Sequence, residues 1–255
     1  MSRNILITGA AGYIGGFIVA NLLSKHPETT KQQVFAAVRT DEQAKALSTL
    51  GINVLKLDLS DEQAVVNEMS SHKISVIVHA ANSINPELAL PLINALAKQK
   101  ESAGKPTHFI HVGSSVDPSM TSAVHISGLT ALYCRIIHAA LKNEEIPSGK
   151  EGYYSAVAHE TDMWEFQDHL AAAMKARGLV SSNKPEMYSS DFLDALYKSG
   201  GNFTATRPQS IGWKPKWDKE RFLKNIDSEI EDVLELGKAK SSLIDSLIAA
   251  VGRSH

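Results

Sequence analysis

Residues 4–15 read Asn-Ile-Leu-Ile-Thr-Gly-Ala-Ala-Gly-Tyr-Ile-Gly. A short apolar run, 4–8, stops at Gly9, and residues 14–23 then carry apolar side chains at helical spacing. A buried strand that enters a glycine-rich turn and opens a helix is where a dinucleotide pyrophosphate docks. Gly9 permits the tight turn, Gly12 keeps Cβ out of the phosphate's path, and Gly15 lets the helix approach the sheet closely. The helix N-terminus adds free N–H groups and the positive end of the helix dipole. Thr8, Gly9, Ala11, Gly12, Tyr13, Ile14 and Gly15 are therefore the expected pyrophosphate-side residues.

Outward from this turn the chain alternates. Residues 34–38 (VFAAV), 54–57, 74–79 (ISVIVH) and 108–112 (HFIHV) read as short buried strands, separated by helical patterns at 41–50, 61–69 and 87–100. Continuous apolar strands joined by helices predict a parallel sheet covered on both faces. The second half breaks the rhythm. Residues 122–141 form a helix that is apolar all round and so is expected to be buried. Residues 152–157 suggest a strand, and 161–177 a helix with an Asp162–Glu165 capping box and Gly178 at its end. A Pro- and Gly-punctuated loop, 202–217, leads to a helical stretch over 218–251. The fold class is thus α/β: a doubly wound parallel (Rossmann) sheet with a small, mainly helical C-terminal lobe. The expected domains are 1–145 for the nucleotide and 146–255 as a substrate lobe packed on it.

The chain has 255 residues, 43% hydrophobic and 21% charged, which is globular composition. With 26 Lys+Arg against 28 Asp+Glu, the net charge of −2 argues against nucleic acid or an anionic membrane as partner. No apolar run reaches the roughly 18 residues of a membrane helix, and the first residues read as strand and turn, not as a secretory signal. The one cysteine, Cys134, excludes a disulfide framework and a Cys-based metal site, so a cytoplasmic setting is expected. It lies in an apolar helical run and reads as a buried, inert thiol. His108, His111 and His125 lack metal-ligand spacing, and no metal is expected. Trp164, Trp213 and Trp217 read as packing anchors.

The end of the second strand selects the cofactor. An NAD site places a carboxylate there to accept from the adenosine ribose hydroxyls. This chain has Arg39, whose guanidinium suits a 2′-phosphate by charge and forked geometry. NADP(H) is therefore preferred; Asp41, a candidate acceptor for ribose hydroxyls, keeps NAD(H) open.

TGAAGYIG at 8–15, Asp58 in KLDLSD, HAAN at 79–82 and HVGSS at 111–115 together resemble the short-chain dehydrogenase/reductase superfamily. The branch resembled is the extended or atypical one, the NAD(P)-dependent epimerase/dehydratase family. Segments 144–160 (EEIPSGKEGYYSAVAHE) and 207–216 (RPQSIGWKPK) resemble the substrate side of its fungal-type members. The resemblance implies that Asp58 and Leu59 border the adenine and that Ala80, Ala81 and Asn82 line the path toward the nicotinamide ribose. Asp58 is equally placed to cap the next helix. The resemblance also implies a small-molecule substrate and a homodimer formed through outer-layer helices. Arg207 stands where some members contact an anionic substrate, or where it would bond loop carbonyls.

In that family a Tyr four residues before a Lys moves the substrate proton, helped by a Ser or Thr after the fifth strand. One helical turn sets the ammonium beside the phenol and lowers its pKa. Ser114 and Ser115 are placed for the hydroxyl role, or simply close a turn on their own backbone. Residues four after each Tyr are Phe17, Ile137, Val157, Ala158, Phe192 and Gly201, so no Tyr-xxx-Lys occurs. Segment 124–133 (VHISGLTALY) resembles a later family motif, VHVDDLAxLY, yet follows Ser115 almost directly. Roughly 60 residues of the family layout are missing between them, which leaves the sheet edge after the fifth strand without a covering strand. Three explanations stay open: a chain shortened at this point, a non-catalytic protein, or a proton supplied by Tyr133, Tyr153 or His125. The expected function is NADP(H)-dependent hydride transfer to or from a carbonyl or alcohol. The alternatives are non-catalytic dinucleotide sensing and nucleotide-sugar epimerisation or dehydration.

Overall fold

The computed structural model describes residues 3–83, 85–113, 121–186 and 205–236. These described residues form two compact units, one of 3–113 with 130–146 and one of 121–129 with 147–236.

The first unit is built on five parallel strands: β1 (Asn4–Thr8), β2 (Val34–Val38), β3 (Asn53–Lys56), β4 (Ile74–His79) and β5 (His108–His111). Their order, β3-β2-β1-β4-β5, reverses direction between β1 and β4. That reversal opens a crevice at the carboxyl ends of the strands, where open α/β sheets bind ligands. Helices α1 (Tyr13–Lys25), α2 (Pro27–Gln33), α3 (Asp41–Ser48), α4 (Glu62–Ser71) and α5 (Leu90–Ala103) connect the strands. On one face Leu6, Phe35 and Ile77 of the sheet pack with Val65 and Met69 of α4 and Leu92 and Leu96 of α5. Each of the five strands expected in the first half of the sequence is present to within a residue or two. Helix α2, which begins on Pro27 at its first turn, has no counterpart among the expected elements. Among the described residues β5 forms one open edge of the sheet and β3 the other.

Helix α6 (Ile126–Lys142) contributes its first turn to the second unit and the rest to the first. Of its residues only Ser127 and Lys142 are exposed, as an all-round apolar pattern requires. Cys134 is buried there and its thiol pushed up to about 11 by that burial, the inert state expected of it.

The second unit pairs two short antiparallel strands, β6 (Thr121–Ala123) and β7 (His159–Thr161). The strand expected at 152–157 is absent. Residues 159–161 pair with 121–123 and the Ala158 amide donates to the Ala123 carbonyl at 2.9 Å, while further back the Tyr154 hydroxyl donates to the Pro147 carbonyl at 2.7 Å. Helix α7 (Met163–Ala176) starts at Asp162, whose carboxylate accepts from the amides of Trp164 and Glu165; Gly178 follows it at φ +70°. After the short α8 (Thr206–Ser210), the long helix expected from residue 218 is interrupted at Asn225 into α9 (Lys219–Lys224) and α10 (Ile226–Leu236). Residues 237–251 of that expected helix lie outside the described residues. Leu223, Ile226 and Ile230 bury themselves against Phe166, Leu170 and Met174 of α7. Arg177 clasps Asp227 at 2.6 Å and Glu231 at 3.0 Å. Trp213 is buried with its indole N–H donating to the Gly128 carbonyl at 2.8 Å, a packing anchor as expected.

One polar pair lies in the centre of the parallel sheet. Thr8 and His79 face each other across β1 and β4, both fully buried, with Thr8 Oγ1 and His79 Nδ1 2.8 Å apart. Burial, reinforced by the His111 ring opposite, pushes the His79 pKa down to about 4. In the unfolded chain the same group titrates near 6.5. The folded state thus binds this proton more weakly, and the stability this affords above pH 6.5 is lost as pH falls toward 4. We expect His79 to account for a loss of about 2 kcal/mol between pH 7 and pH 5. Urea unfolding at the two pH values checks this, since His79→Gln should remove that increment of the slope while lowering stability at pH 7.

Candidate functional site: the glycine turn at the strand reversal

The turn after β1 is held by backbone contacts. Gly9 takes φ +68°, a conformation that side chains with a Cβ seldom adopt. A Cβ there would also meet the Ala80 carbonyl oxygen at 2.6 Å and Ala81 Cα at 2.8 Å. The Gly9 carbonyl accepts from the Gly12 amide at 2.8 Å. A Cβ on Gly15 would lie 2.2 Å from that same oxygen. The turn is therefore wedged between the end of β4 and the first turn of α1.

Gly12 differs from its two neighbours. A Cβ there would meet the Gly9 oxygen at 3.1 Å, a tight contact but a milder one than at Gly9 or Gly15. Gly12 is the N-cap of α1, with no side-chain cap and no acidic residue in the helix's first turn. The positive end of this 13-residue helix therefore has no compensating carboxylate in its own first turn. Ala11 and Tyr13 are exposed beside it, Ile14 is half-buried, and Tyr13 meets Phe17 edge-to-face at 5.1 Å.

The other expected residues fall along the same edge of the sheet. Ala80, Ala81 and Asn82 follow β4 directly, and Asn82 Oδ1 accepts from the Asn85 amide at 2.9 Å. Asp58 lies beyond β3 but does not cap α4; Asp61 does, through the Ala64 amide. Asp58 Oδ1 instead accepts from the Ser60 amide at 2.9 Å and the Ser60 hydroxyl at 2.7 Å. Those bonds, aided by the charge of Arg39, hold its carboxyl below the usual range. Leu59 is buried in the core with Leu57. Arg39 is exposed, and its guanidinium makes no ion pair among the described residues. Its backbone is fixed by Gln43, whose Oε1 accepts from the amides of Arg39 and Thr40 at 3.1 and 3.4 Å. Asp41 is paired with Lys56. Ser114 and Ser115 lie outside the described residues.

Two groups at this edge were given no paired role in the sequence reading, where His111 figures only as lacking metal-ligand spacing and His79 only within HAAN. His79 and His111 are register partners on β4 and β5, with ring centroids 5.5 Å apart and planes 18° from parallel. Both stand at the last position of an apolar strand, which is the signal that could have marked them. The alternative proton donors fare differently. Tyr133 is buried in α6 and its phenol is pushed up to about 12. Tyr153 is 75% exposed. His125, in the second unit, is bonded to Ser127 through Nδ1 at 2.7 Å and stacked flat on Trp217 at 3.5 Å. Arg207 bonds Glu151 and the Tyr153 carbonyl, the second of its two expected roles. Among the described residues no group of three or more His, Cys, Asp or Glu could hold a metal, and no helix is long and apolar enough to cross a membrane.

Residues 1–126 match the NmrA-like family. Over 65 residues the chain is 35% identical to quinone oxidoreductase 2 of Escherichia coli strain K12, a stretch that is 26% of this chain and 22% of that protein's length. Among solved structures it is similar to the triphenylmethane reductase of Citrobacter sp. in complex with NADP(H), with TM-score 0.53 and 16% identity, over 88% of this chain and 100% of that one. It is also similar to the E. coli NADPH-dependent quinone oxidoreductase in complex with NADPH, with TM-score 0.53 and 17% identity, over 90% and 99% of the two chains. A GalE-like L-threonine dehydrogenase from Cupriavidus necator gives TM-score 0.60 at 11% identity, over 89% and 100%. At these identities the likeness is one of fold. The family match covers residues 1–126, just under half of the chain, and the α/β fold is the one the chain shares with these solved structures.

Proposed function

We propose that this chain binds NADP(H) on its first unit and supports hydride transfer to or from a carbonyl or alcohol group of a small molecule. The observation that carries the reading is the unequal setting of three glycines. A Cβ on Gly9 or Gly15 would come within 2.6 or 2.2 Å of a backbone oxygen, whereas one on Gly12 would meet a single atom, the Gly9 oxygen at 3.1 Å, at a helix N-terminus without a side-chain cap. Packing explains the first two; an anion resting on the backbone explains the third. Arg39 would take the 2′-phosphate, Asp58 and Leu59 would border the adenine, and Ala80 to Asn82 would lead to the nicotinamide ribose. When bound, the nicotinamide supplies or accepts the hydride. Ser114 and Ser115 are the proposed hydroxyl partners of the substrate oxygen. The second unit, within 146–255, would set substrate choice in a cytoplasmic homodimer. The NADP(H) and NADPH complexes of the two reductases of like fold support this cofactor.

A second reading, dinucleotide binding without turnover, rests on the missing Tyr-xxx-Lys pair and on the burial of Tyr133. Steady NADPH consumption with any member of a carbonyl or quinone panel excludes it.

NADPH should bind saturably in a fluorescence titration; no binding at millimolar concentration overturns the cofactor reading. Gly12→Val should weaken NADPH by at least about tenfold and lower the melting temperature less than Gly15→Ala does, because a Cβ at 12 is tight against one backbone oxygen, at 3.1 Å, and at 15 against three backbone atoms. Gly15→Ala should instead cost about 3 kcal/mol of stability by denaturant unfolding, since its Cβ has no room. Arg39→Ala should weaken NADPH by about tenfold or more and leave NADH almost unchanged; equal losses for both would refute the phosphate role.

A further inference from the structure

All the carboxylates around the β2–α3 turn and the end of β3 are already engaged. Asp58 is held by Ser60. Glu42, in the first turn of α3, accepts from the Thr40 hydroxyl and from its own amide. Asp41, the candidate acceptor for ribose hydroxyls, receives the Lys56 ammonium at 2.7 Å. The parallel register of β2 and β3 produces that contact: Val38 stands beside Lys56, and the Leu57 amide donates to the Val38 carbonyl at 2.9 Å. Residues 18 apart in sequence thus bring a second cation next to the position just before Arg39.

We propose that Lys56 determines cofactor choice: it cancels the charge of Asp41 and, with Arg39, completes a two-cation seat for the 2′-phosphate of NADP(H). This deepens the cofactor reading above and rests on it. A dinucleotide with a bare 2′-hydroxyl needs a free carboxylate at this place, and Lys56 removes it. A 2′-phosphate needs positive charge without a competing anion, and Lys56 supplies one while neutralising the other. The Lys56 and Asp41 side chains are 56% and 83% exposed, so their pairing contributes little to stability and stays free to rearrange around a ligand.

The test measures dissociation constants of NADPH and NADH for the full chain and for Lys56→Gln, Lys56→Arg and Lys56→Gln/Asp41→Asn. Lys56→Gln should weaken NADPH about tenfold and tighten NADH severalfold. Lys56→Arg should keep the wild-type preference. Adding Asp41→Asn to Lys56→Gln should abolish the gain for NADH, because the acceptor it depends on is gone. A structural role for Lys56 would move both cofactors together and would overturn the proposal. So would a wild-type preference for NADPH that Lys56→Gln leaves intact, which would leave the cofactor reading standing. A wild-type protein that binds neither dinucleotide overturns both.

Discussion

A single carbonyl oxygen, that of Gly9, organises the first unit. It accepts the Gly12 amide, and α1 passes so close to it that Gly15 has no space for a Cβ. On the opposite side the Gly9 backbone rests on Ala80 and Ala81. Backbone contacts of this kind fix distances more tightly than side chains do, because nothing in them can change rotamer. The end of β1, the end of β4 and the start of α1 are therefore set relative to one another before any ligand is considered. The exposed N-terminus of α1 follows from that packing.

The first unit was legible because its rules are local. Buried parallel strands read as unbroken apolar runs, and VFAAV and ISVIVH leave no alternative period. The glycine turn was legible because each glycine has a separate steric or conformational reason. What escaped was whatever depends on register. Lys56 looks like an ordinary surface lysine until β3 is aligned with β2. His79 looks like one histidine among ten until Thr8 is placed across from it. Asp58 read equally well as a helix cap, and only the position of α4 assigned that role to Asp61.

The second unit was less legible because its elements are short and depend on partners far along the chain. Residues 152–157 have strand composition but no strand beside them, while 159–161 are less strand-like and do pair. A strand is a relation between two segments, and propensity records only one of them. The break at Asn225 was hidden for a similar reason. The helical pattern runs through it, yet Asp218 caps one short helix and Leu223 and Ile226 turn together toward α7.

The pairing of Val38 with Lys56 ties ligand choice to chain length. Side chains alternate across a strand, so a one-residue slip of β3 against β2 would carry the ammonium to the opposite face of the sheet. An insertion or deletion in the α3 connection that shifted this register would move the charge without altering any charged residue. For an evolving sequence, cofactor preference here is thus exposed to two kinds of genetic change, substitution and frame-preserving indel. Relatives of equal charge but unequal loop length need not share a cofactor.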